Sequence, residues 1–421
     1  MDIREPMKVI SFLGISKYLV TKYKWNGKVQ ETCFFPEAVA HFIKPEKILI
    51  CLTPTAREGE RAVNWQELKK RFENDSVPYD VLPIPEGHSE PELWEIFNTL
   101  TNAVQEKEEV IFDITHSFRS LPFLSFLAIA YLKAAKKVNV KGVLYGAYDA
   151  HDENNYSPVF DLTPFVSLLD WLTATEQFIQ TGNARSLSGL LNPQKKKEDA
   201  LYQAATTLDT ISQAARLCQP FTLMKEVGGL EKKLTQAQQQ LQISAPPFGV
   251  LRNQITSAFG QFENDGQDVA EMLRTEFRLV NWYYQKGQII QAVTLAREWL
   301  IDAVTYRLGE PLDYLLDKRN PFEKAISGVA LLGKPHPDDR DRIFNENDLN
   351  RFGLELLKWK ELDTLQKVWT DLKNVRNPLD HAEHQRKKEK EKTLQALNKL
   401  QKKIDTTMKN LQTLAEEWSL V

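Results

Sequence analysis

The chain has 421 residues, of which 42% are hydrophobic and 26% are charged, a composition typical of a globular protein with two or three domains. The formal net charge of −3 at pH 7 argues against a protein that coats nucleic acid through bulk positive charge, so a nucleic-acid function would need a local basic groove. The three cysteines, Cys33, Cys51 and Cys218, form no CxxC pair and predict neither a zinc site nor a disulfide framework. No stretch resembles a signal peptide or a membrane span, so we expect a cytoplasmic protein.

Short apolar runs alternate with helical patterns in the first third of the chain. The predicted strands cover residues 7–13, 47–52, 79–83, 110–115 and 141–147, with a hairpin at 17–33 that turns at Asn26-Gly27. The predicted helices cover residues 36–42, 64–72, 89–104 and 121–137. This alternation is typical of βαβ units, and it predicts a Rossmann-like α/β domain with a mostly parallel sheet over residues 1–165.

The strand pattern disappears from about residue 164, and the apolar spacing becomes helical. The predicted helices cover residues 164–181, 198–243, 266–308, 351–375 and 386–418. Clusters of Pro, Gly and Asp in 309–350 predict a surface excursion instead. We therefore predict an all-α second half, divided into a helical connecting region at 166–268 and a C-terminal domain at 269–421.

Small and polar side chains follow three of the predicted strands. They are Gly14, Ser16 and Tyr18 after the first strand, Thr53 and Thr55 after the next, and the run Asp113, Thr115, His116, Ser117, Phe118 and Arg119 after a later one. In an open parallel sheet, ligands bind beyond the carboxyl ends of the strands. The third run precedes a predicted helix start, where free N–H groups and Arg119 suit a phosphate, while His116 and Phe118 could stack on bases.

A structural turn explains this third run equally well, because Asp113 and Thr115 could simply satisfy local hydrogen bonds. A dinucleotide cofactor is not expected, since the chain has neither GxGxxG nor a phosphate-binding GxxxxGK[ST] after a strand.

The second motif is RNPLDH at 376–381. Pro378 predicts that the preceding helix ends, that Asn377 caps a new helix, and that Arg376 and His381 face the same anion. The positive end of that helix would keep His381 titratable near neutral pH. A guanidinium and an imidazole supply the charge stabilisation and proton transfer that metal-independent RNA cleavage needs, and a dimer would supply both proton transfers. The alternative is a capping turn with an exposed histidine.

Both motifs resemble those of known families. DITHSFRSLPFL at 113–124 resembles the signature loop of CRISPR-associated Rossmann-fold (CARF) sensor domains, and residues 25–38 and 53–58 are similar to the same family. RNPLDH is similar to the RxxxxH motif of HEPN ribonuclease domains, and REW at 297–299 is similar to members of that family. The resemblance covers residues 7–165 and 270–421.

The resemblance implies a homodimer, or a higher even oligomer, of a type III CRISPR system. In such proteins a cyclic oligoadenylate binds across two CARF domains and activates a metal-independent, single-strand-specific endoribonuclease. Gly14, Ser16, Tyr18, Thr53, Thr55 and residues 113–119 would then contact the ligand. Arg376 and His381 would be catalytic, with Asn377 in support.

The resemblance also implies an activator and a set of partners. The activator would be a cyclic tetra- or hexa-adenylate, with the tetra-adenylate favoured, and the substrate would be single-stranded RNA. No cofactor, metal, DNA or membrane is expected.

Two alternatives stay open. The CARF domain could cleave its own activator as a ring nuclease, with Thr115, His116 and Ser117 positioning the phosphodiester. The chain could also be a non-catalytic sensor whose C-terminal domain only dimerises.

Overall fold

The protein divides into two compact units, one that ends at Asp170 and one that begins at Trp171. The structure is a computed structural model that describes residues 7–116, 121–191, 199–244, 246–339, 341–380 and 393–421. In this described part of the chain, no helix has the length and apolar character that crossing a bilayer requires.

The first unit is built on an eight-stranded sheet with the order β3-β2-β8-β7-β6-β1-β4-β5. The strands are β1 (Met7–Phe12), β2 (Thr21–Trp25), β3 (Lys28–Thr32), β4 (Lys47–Leu52), β5 (Tyr79–Pro83), β6 (Glu109–Asp113), β7 (Asn139–Gly146) and β8 (Tyr156–Asp161). All neighbours are parallel except β2–β3 and β7–β8. The prediction of a mostly parallel sheet is therefore confirmed.

The β2–β3 hairpin and strand β8, which was not predicted, complete one edge of the sheet. Asn26 and Gly27 both have positive φ, at 48° and 78°, as a two-residue turn with the right-handed twist of a hairpin requires. Strand β8 was not predicted, because Pro158 and the polar residues before it interrupt the apolar pattern. Its backbone pairs with β7 and β2 and joins the hairpin to the rest of the sheet.

Helices cover both faces of this sheet. They are α1 (Phe35–Ile43), α2 (Pro54–Arg57), α3 (Val63–Asn74), α4 (Glu90–Asn102) and α5 (Leu121–Lys136). Side chains of α1 and α3 pack with Val9, Ile48 and Ile50 in one core, while those of α4 and α5 pack with Ile10 and Phe112 in the other. Successive residues of each strand thus enter opposite cores, as the two-residue period of a strand requires.

The remainder of the described chain is helical. The helices are α6 (Thr163–Thr181), α7 (Arg185–Leu191), α8 (Ala200–Arg216), α9 (Pro220–Gln236), α10 (Gln238–Ser244), α11 (Pro246–Gly260), α12 (Val269–Gln285), α13 (Ile289–Arg307), α14 (Leu316–Leu331), α15 (Arg351–Leu356), α16 (Leu362–Asp380) and α17 (Thr393–Glu417). The predicted order, an α/β domain followed by an all-α half, is confirmed. The HEPN assignment stays a prediction.

The predicted surface excursion at 309–350 is wrong, because it contains α14. Phe322, Ile326 and Val329 of this helix are buried in the helical core. Arg319 anchors the helix through Asp302 on α13, with a distance of 3.0 Å between Nη2 and Oδ1. Pro321 lies inside the helix and concealed it from a pattern analysis that treats proline as a boundary.

The predicted helix boundary before Pro378 is also wrong. Helix α16 continues to Asp380, so Asn377 is not a helix cap and Arg376 does not precede a helix start. Leu372 and Val375 are buried and Leu379 packs against the same core. Burying these side chains outweighs the roughly 3 kcal/mol cost of a proline within a helix.

Candidate functional site

A cavity of 490 Å³ lies at the carboxyl ends of β1, β4, β5 and β6. Its lining includes Gly14, Ser16 and Tyr18 after β1, Thr53 and Thr55 after β4, and Thr115 and His116 after β6. The structure thus brings together the three strand ends that the sequence singled out. Ser117, Phe118 and Arg119 lie outside the described residues.

Asp113 supports this cavity but does not line it. The carboxylate is fully buried, with Oδ2 accepting from Ser11 Oγ at 2.5 Å and Oδ1 from the Thr115 N–H at 2.8 Å. Thr115 Oγ1 in turn accepts from the Gly146 N–H at 2.8 Å. Asp113 therefore fixes the turn after β6 against β1 and β7, which corrects its expected role as a direct ligand contact. Burial raises its pKa to about 6, although the hydrogen bonds from Ser11 and Thr115 oppose this.

His116 is held as a neutral side chain. Its Nε2 accepts from the Phe35 N–H at 3.0 Å, and its ring lies on that of Tyr18 with 3.9 Å between centroids. Burial lowers the pKa of His116 to about 3, because a charged imidazole would lose hydration there. The imidazole therefore carries its proton on Nδ1 and brings no positive charge to a phosphate.

The loop after β1 is held by two side chains. Tyr18 Oη accepts from the Gly14 N–H at 3.0 Å, and a Cβ at residue 14 would lie 3.1 Å from that oxygen. Asn64 Nδ2 donates to the carbonyls of Gly14 and Ser16, both at 2.8 Å. The sequence pattern does not indicate Asn64, because this residue lies on α3, far along the chain from the loop that it binds.

Glu86 places a carboxylate in the cavity. Its Oε1 accepts from the Thr55 N–H at 2.8 Å. Burial would raise the pKa of Glu86, but hydrogen bonds from Thr55 and from the Thr53 side chain outweigh it and hold the pKa below its usual value. The Glu86 carboxylate therefore accepts hydrogen bonds from Thr53 and Thr55, the two threonines that the sequence predicts as ligand contacts.

Glu86 and His88 were missed although a signal existed. Both line the cavity and follow β5, as Thr53 follows β4. The rule that ligands bind beyond the carboxyl ends of parallel strands predicts both residues once it is applied to β5 as well. The described lining contains neither lysine nor arginine, so its donors are backbone N–H groups, hydroxyls and imidazole N–H groups.

A second cavity, of 410 Å³, lies in the helical unit between α13, α14 and α16. Arg376 and Asn377 both line it, with Arg297, Lys334 and Lys373. Glu323 contributes a carboxylate to the same lining. The structure thus places two of the three predicted catalytic residues in one cationic cavity, while His381 lies outside the described residues.

Arg297 of this second cavity is held by two carboxylates and an indole ring. Its guanidinium pairs with Glu298 at 2.6 Å and with Glu323, and it lies 5.1 Å from the ring centroid of Trp369. Two carboxylates offset its charge, and the indole covers one face of the guanidinium. The REW motif at 297–299 therefore joins α13 to α14 and α16.

Two family models match successive parts of the chain. Residues 8–149 match the CARF domain of the CRISPR system endoribonuclease Csx1. The first unit is a CARF domain of a CRISPR-associated protein. Residues 167–267 match the second domain of the CRISPR-associated protein MJ1674, which covers the region for which the sequence analysis named no relative.

Individual proteins share limited similarity with the chain. CRISPR-associated protein MJ1674 of Methanocaldococcus jannaschii is 34% identical over 127 residues, which are 29% of this chain and 20% of that protein. The solved structure of Enterococcus italicus Csm6 bound to cyclic hexa-2′-fluoro-hexa-dAMP covers 99% of this chain and 95% of that chain, with a TM-score of 0.47 and 10% identity. The match to MJ1674 thus spans about a fifth of that relative's length.

The raised pKa of Asp113 predicts a specific pH dependence for the CARF domain. The folded carboxyl keeps its proton to about pH 6, whereas the unfolded one loses it near pH 4. The folded state therefore binds more protons between these values, so wild-type stability falls as pH rises through that window, by up to roughly 3 kcal/mol. Asp113→Asn removes this contribution.

Urea unfolding of wild type and of Asp113→Asn, at a series of pH values from 4 to 7, measures how the free energy of unfolding of each protein depends on pH. The exposed Asp149, changed to Asn, controls for the amide substitution itself. Identical pH profiles for wild type and Asp113→Asn would contradict the assigned environment.

Proposed function

We propose that the chain is a cyclic-oligoadenylate-activated, metal-independent and single-strand-specific endoribonuclease of type III CRISPR antiviral defence. The observation that carries the proposal is the presence, in one chain, of a CARF-domain cavity and a cationic cavity that holds Arg376 and Asn377. The sequence resemblance at 376–381 connects the second cavity with HEPN ribonucleases. Ligand sensing and RNA cleavage would occupy separate units.

The first cavity has the chemistry of an adenylate site. Thr53, Thr55 and Ser16 supply hydroxyls for phosphate or ribose, while Ile15 and Ile84 supply apolar surface for a base. A cavity of 490 Å³ suits a drug-sized ligand, and a ring of four or six nucleotides is several times larger than that. A symmetric ring would therefore span two copies of the cavity.

The CARF domain also exposes an apolar face that suits a second copy. Phe123, Leu127 and Tyr131 recur every four residues along α5, with exposed fractions of 68%, 43% and 49%, and Phe165 of α6 is exposed as well. An apolar stripe of this kind on a folded domain is typical of an interaction surface. Helix α5 begins directly after the signature loop, so a dimer through this face would bring two ligand cavities towards a common axis.

Cleavage would proceed through the substrate's own 2′-hydroxyl. The 2′-oxygen loses its proton to a base and bonds to phosphorus, the bond to the 5′-oxygen breaks, and that oxygen takes a proton from an acid. The products are a 2′,3′-cyclic phosphate and a 5′-hydroxyl. Arg376 would stabilise the charge on the phosphorane, His381 and its symmetry mate would transfer the two protons, and Asn377 would orient the phosphate.

The ring-nuclease alternative would use His116 only to position the phosphodiester. His116 is neutral and its Nε2 is engaged by the Phe35 N–H, so it does not serve as a proton donor at that nitrogen. The non-catalytic alternative predicts no RNA cleavage with any activator.

The proposal predicts activator-dependent RNA cleavage. Wild-type protein, incubated with fluorescent single-stranded RNA, a chelator and cyclic tetra-adenylate, should cleave the RNA. Arg376→Ala and His381→Ala should each lower the rate by at least about a hundredfold, since each removes charge stabilisation or proton transfer. His384→Ala is the matched control and should retain the wild-type rate. No cleavage with any ring size, or full activity in His381→Ala, would overturn the proposal.

The position of Glu86 predicts a competition with the activator. A phosphate that binds Thr53 and Thr55 has to displace the Glu86 carboxylate, and two anions close together repel each other. Glu86→Gln should therefore tighten the binding of cyclic tetra-adenylate by roughly tenfold, or about 1.4 kcal/mol. Isothermal titration calorimetry measures this affinity, and Glu58→Gln on the neighbouring exposed turn is the control variant. Weaker binding by Glu86→Gln would instead place the carboxylate in direct contact with the ligand.

A further inference from the structure

The helix that the sequence analysis missed forms one wall of the cationic cavity. Helix α14 and the three residues that follow it contribute Glu323 and Lys334 to one wall. Helix α16 supplies the opposite wall with Lys373, Arg376 and Asn377. The segment at 309–350 therefore belongs to the candidate active site.

The charge that this cavity offers to a ligand is unevenly distributed. Arg297 is paired with Glu298 and Glu323, which leaves little of its charge for a phosphate. Lys334 and Lys373 are exposed, and neither forms an ion pair within the described chain. The cavity thus presents two uncompensated ammonium groups on opposite walls.

Both lysines are held in defined places. Lys334 Nζ donates to the Ala330 carbonyl at 2.6 Å, at the C-terminal end of α14 where free carbonyls favour a cation. Gly333 has a φ of +74° and donates its N–H to the Phe344 carbonyl at 3.0 Å, which turns the chain so that Lys334 follows the helix end. Lys373 precedes Arg376 and Asn377 by three and four residues on α16, so these side chains share one helix face.

We infer that Lys334 and Lys373 bind the phosphates that flank the scissile one, and that they fix the position of an RNA strand in this cavity. A strand that lies between α14 and α16 passes Lys373 one helical turn from Arg376 and meets Lys334 on the facing wall. Neither lysine touches the reacting atoms, so both are positioning residues. The inference rests on the proposed ribonuclease function for the identity of the strand.

RNA binding at several salt concentrations tests this inference. Full-length protein that carries His381→Ala, with cyclic tetra-adenylate present, is titrated into labelled single-stranded RNA and followed by fluorescence anisotropy. A plot of log affinity against log salt concentration falls more steeply by about 0.7 for each phosphate contact to a single strand. At 0.15 M salt, one such contact raises the affinity by roughly fourfold relative to 1 M salt. We expect this loss of slope and of affinity in each of the alanine variants, Lys334→Ala and Lys373→Ala. The slope should return in the arginine variants, Lys334→Arg and Lys373→Arg.

Matched controls come from the same two helices. Lys324 on α14 and Lys367 on α16 are exposed and do not line the cavity, so their alanine variants should keep wild-type affinity and slope. Equal losses in these controls, or unchanged slopes in Lys334→Ala and Lys373→Ala, would overturn the inference.

The outcome separates this inference from the proposed function. RNA cleavage by wild type with unchanged binding in the two lysine variants would reject the inference alone. Selective loss of RNA binding in those variants, without cleavage under any activator, would reject the ribonuclease and keep the binding surface. A wild type that binds no RNA at all would reject both.

Discussion

The CARF domain depends on one buried carboxylate at a strand end. Asp113 accepts hydrogen bonds from Ser11 on the neighbouring strand and from Thr115 two residues on. An ionised carboxylate without such donors would be costly in a fully buried position. These hydrogen bonds hold the turn after β6, whose residues Thr115 and His116 line the cavity.

The cavity beside this turn contains hydrogen-bond donors but neither lysine nor arginine in its described lining. Its described lining presents hydroxyls and backbone N–H groups, with a neutral imidazole at His116 and an anion at Glu86. A phosphate ligand would gain hydrogen bonds, but it would first have to displace a carboxylate. A ligand can activate only through its greater affinity for the active state.

The sequence predicts local features of this protein well and nonlocal ones poorly. Strand ends, the Asn26-Gly27 turn and the run after Asp113 depend on neighbouring residues, and the structure shows these strand ends lining one cavity. Asn64 and Glu86 escaped because only the fold brings them to the loops they bind. Pro321 and Pro378 misled the analysis, since both lie in helices whose apolar side chains are buried in the core. Burial outweighed the local cost of proline in both helices.

In the proposed function, a symmetric adenylate ring is shared by two copies of the strand-end cavity. Isothermal titration of full-length protein with cyclic tetra-adenylate measures the number of rings bound per chain. We expect saturation at one ring for every two chains. Saturation at one ring per chain, or no binding of any cyclic oligoadenylate, would contradict it.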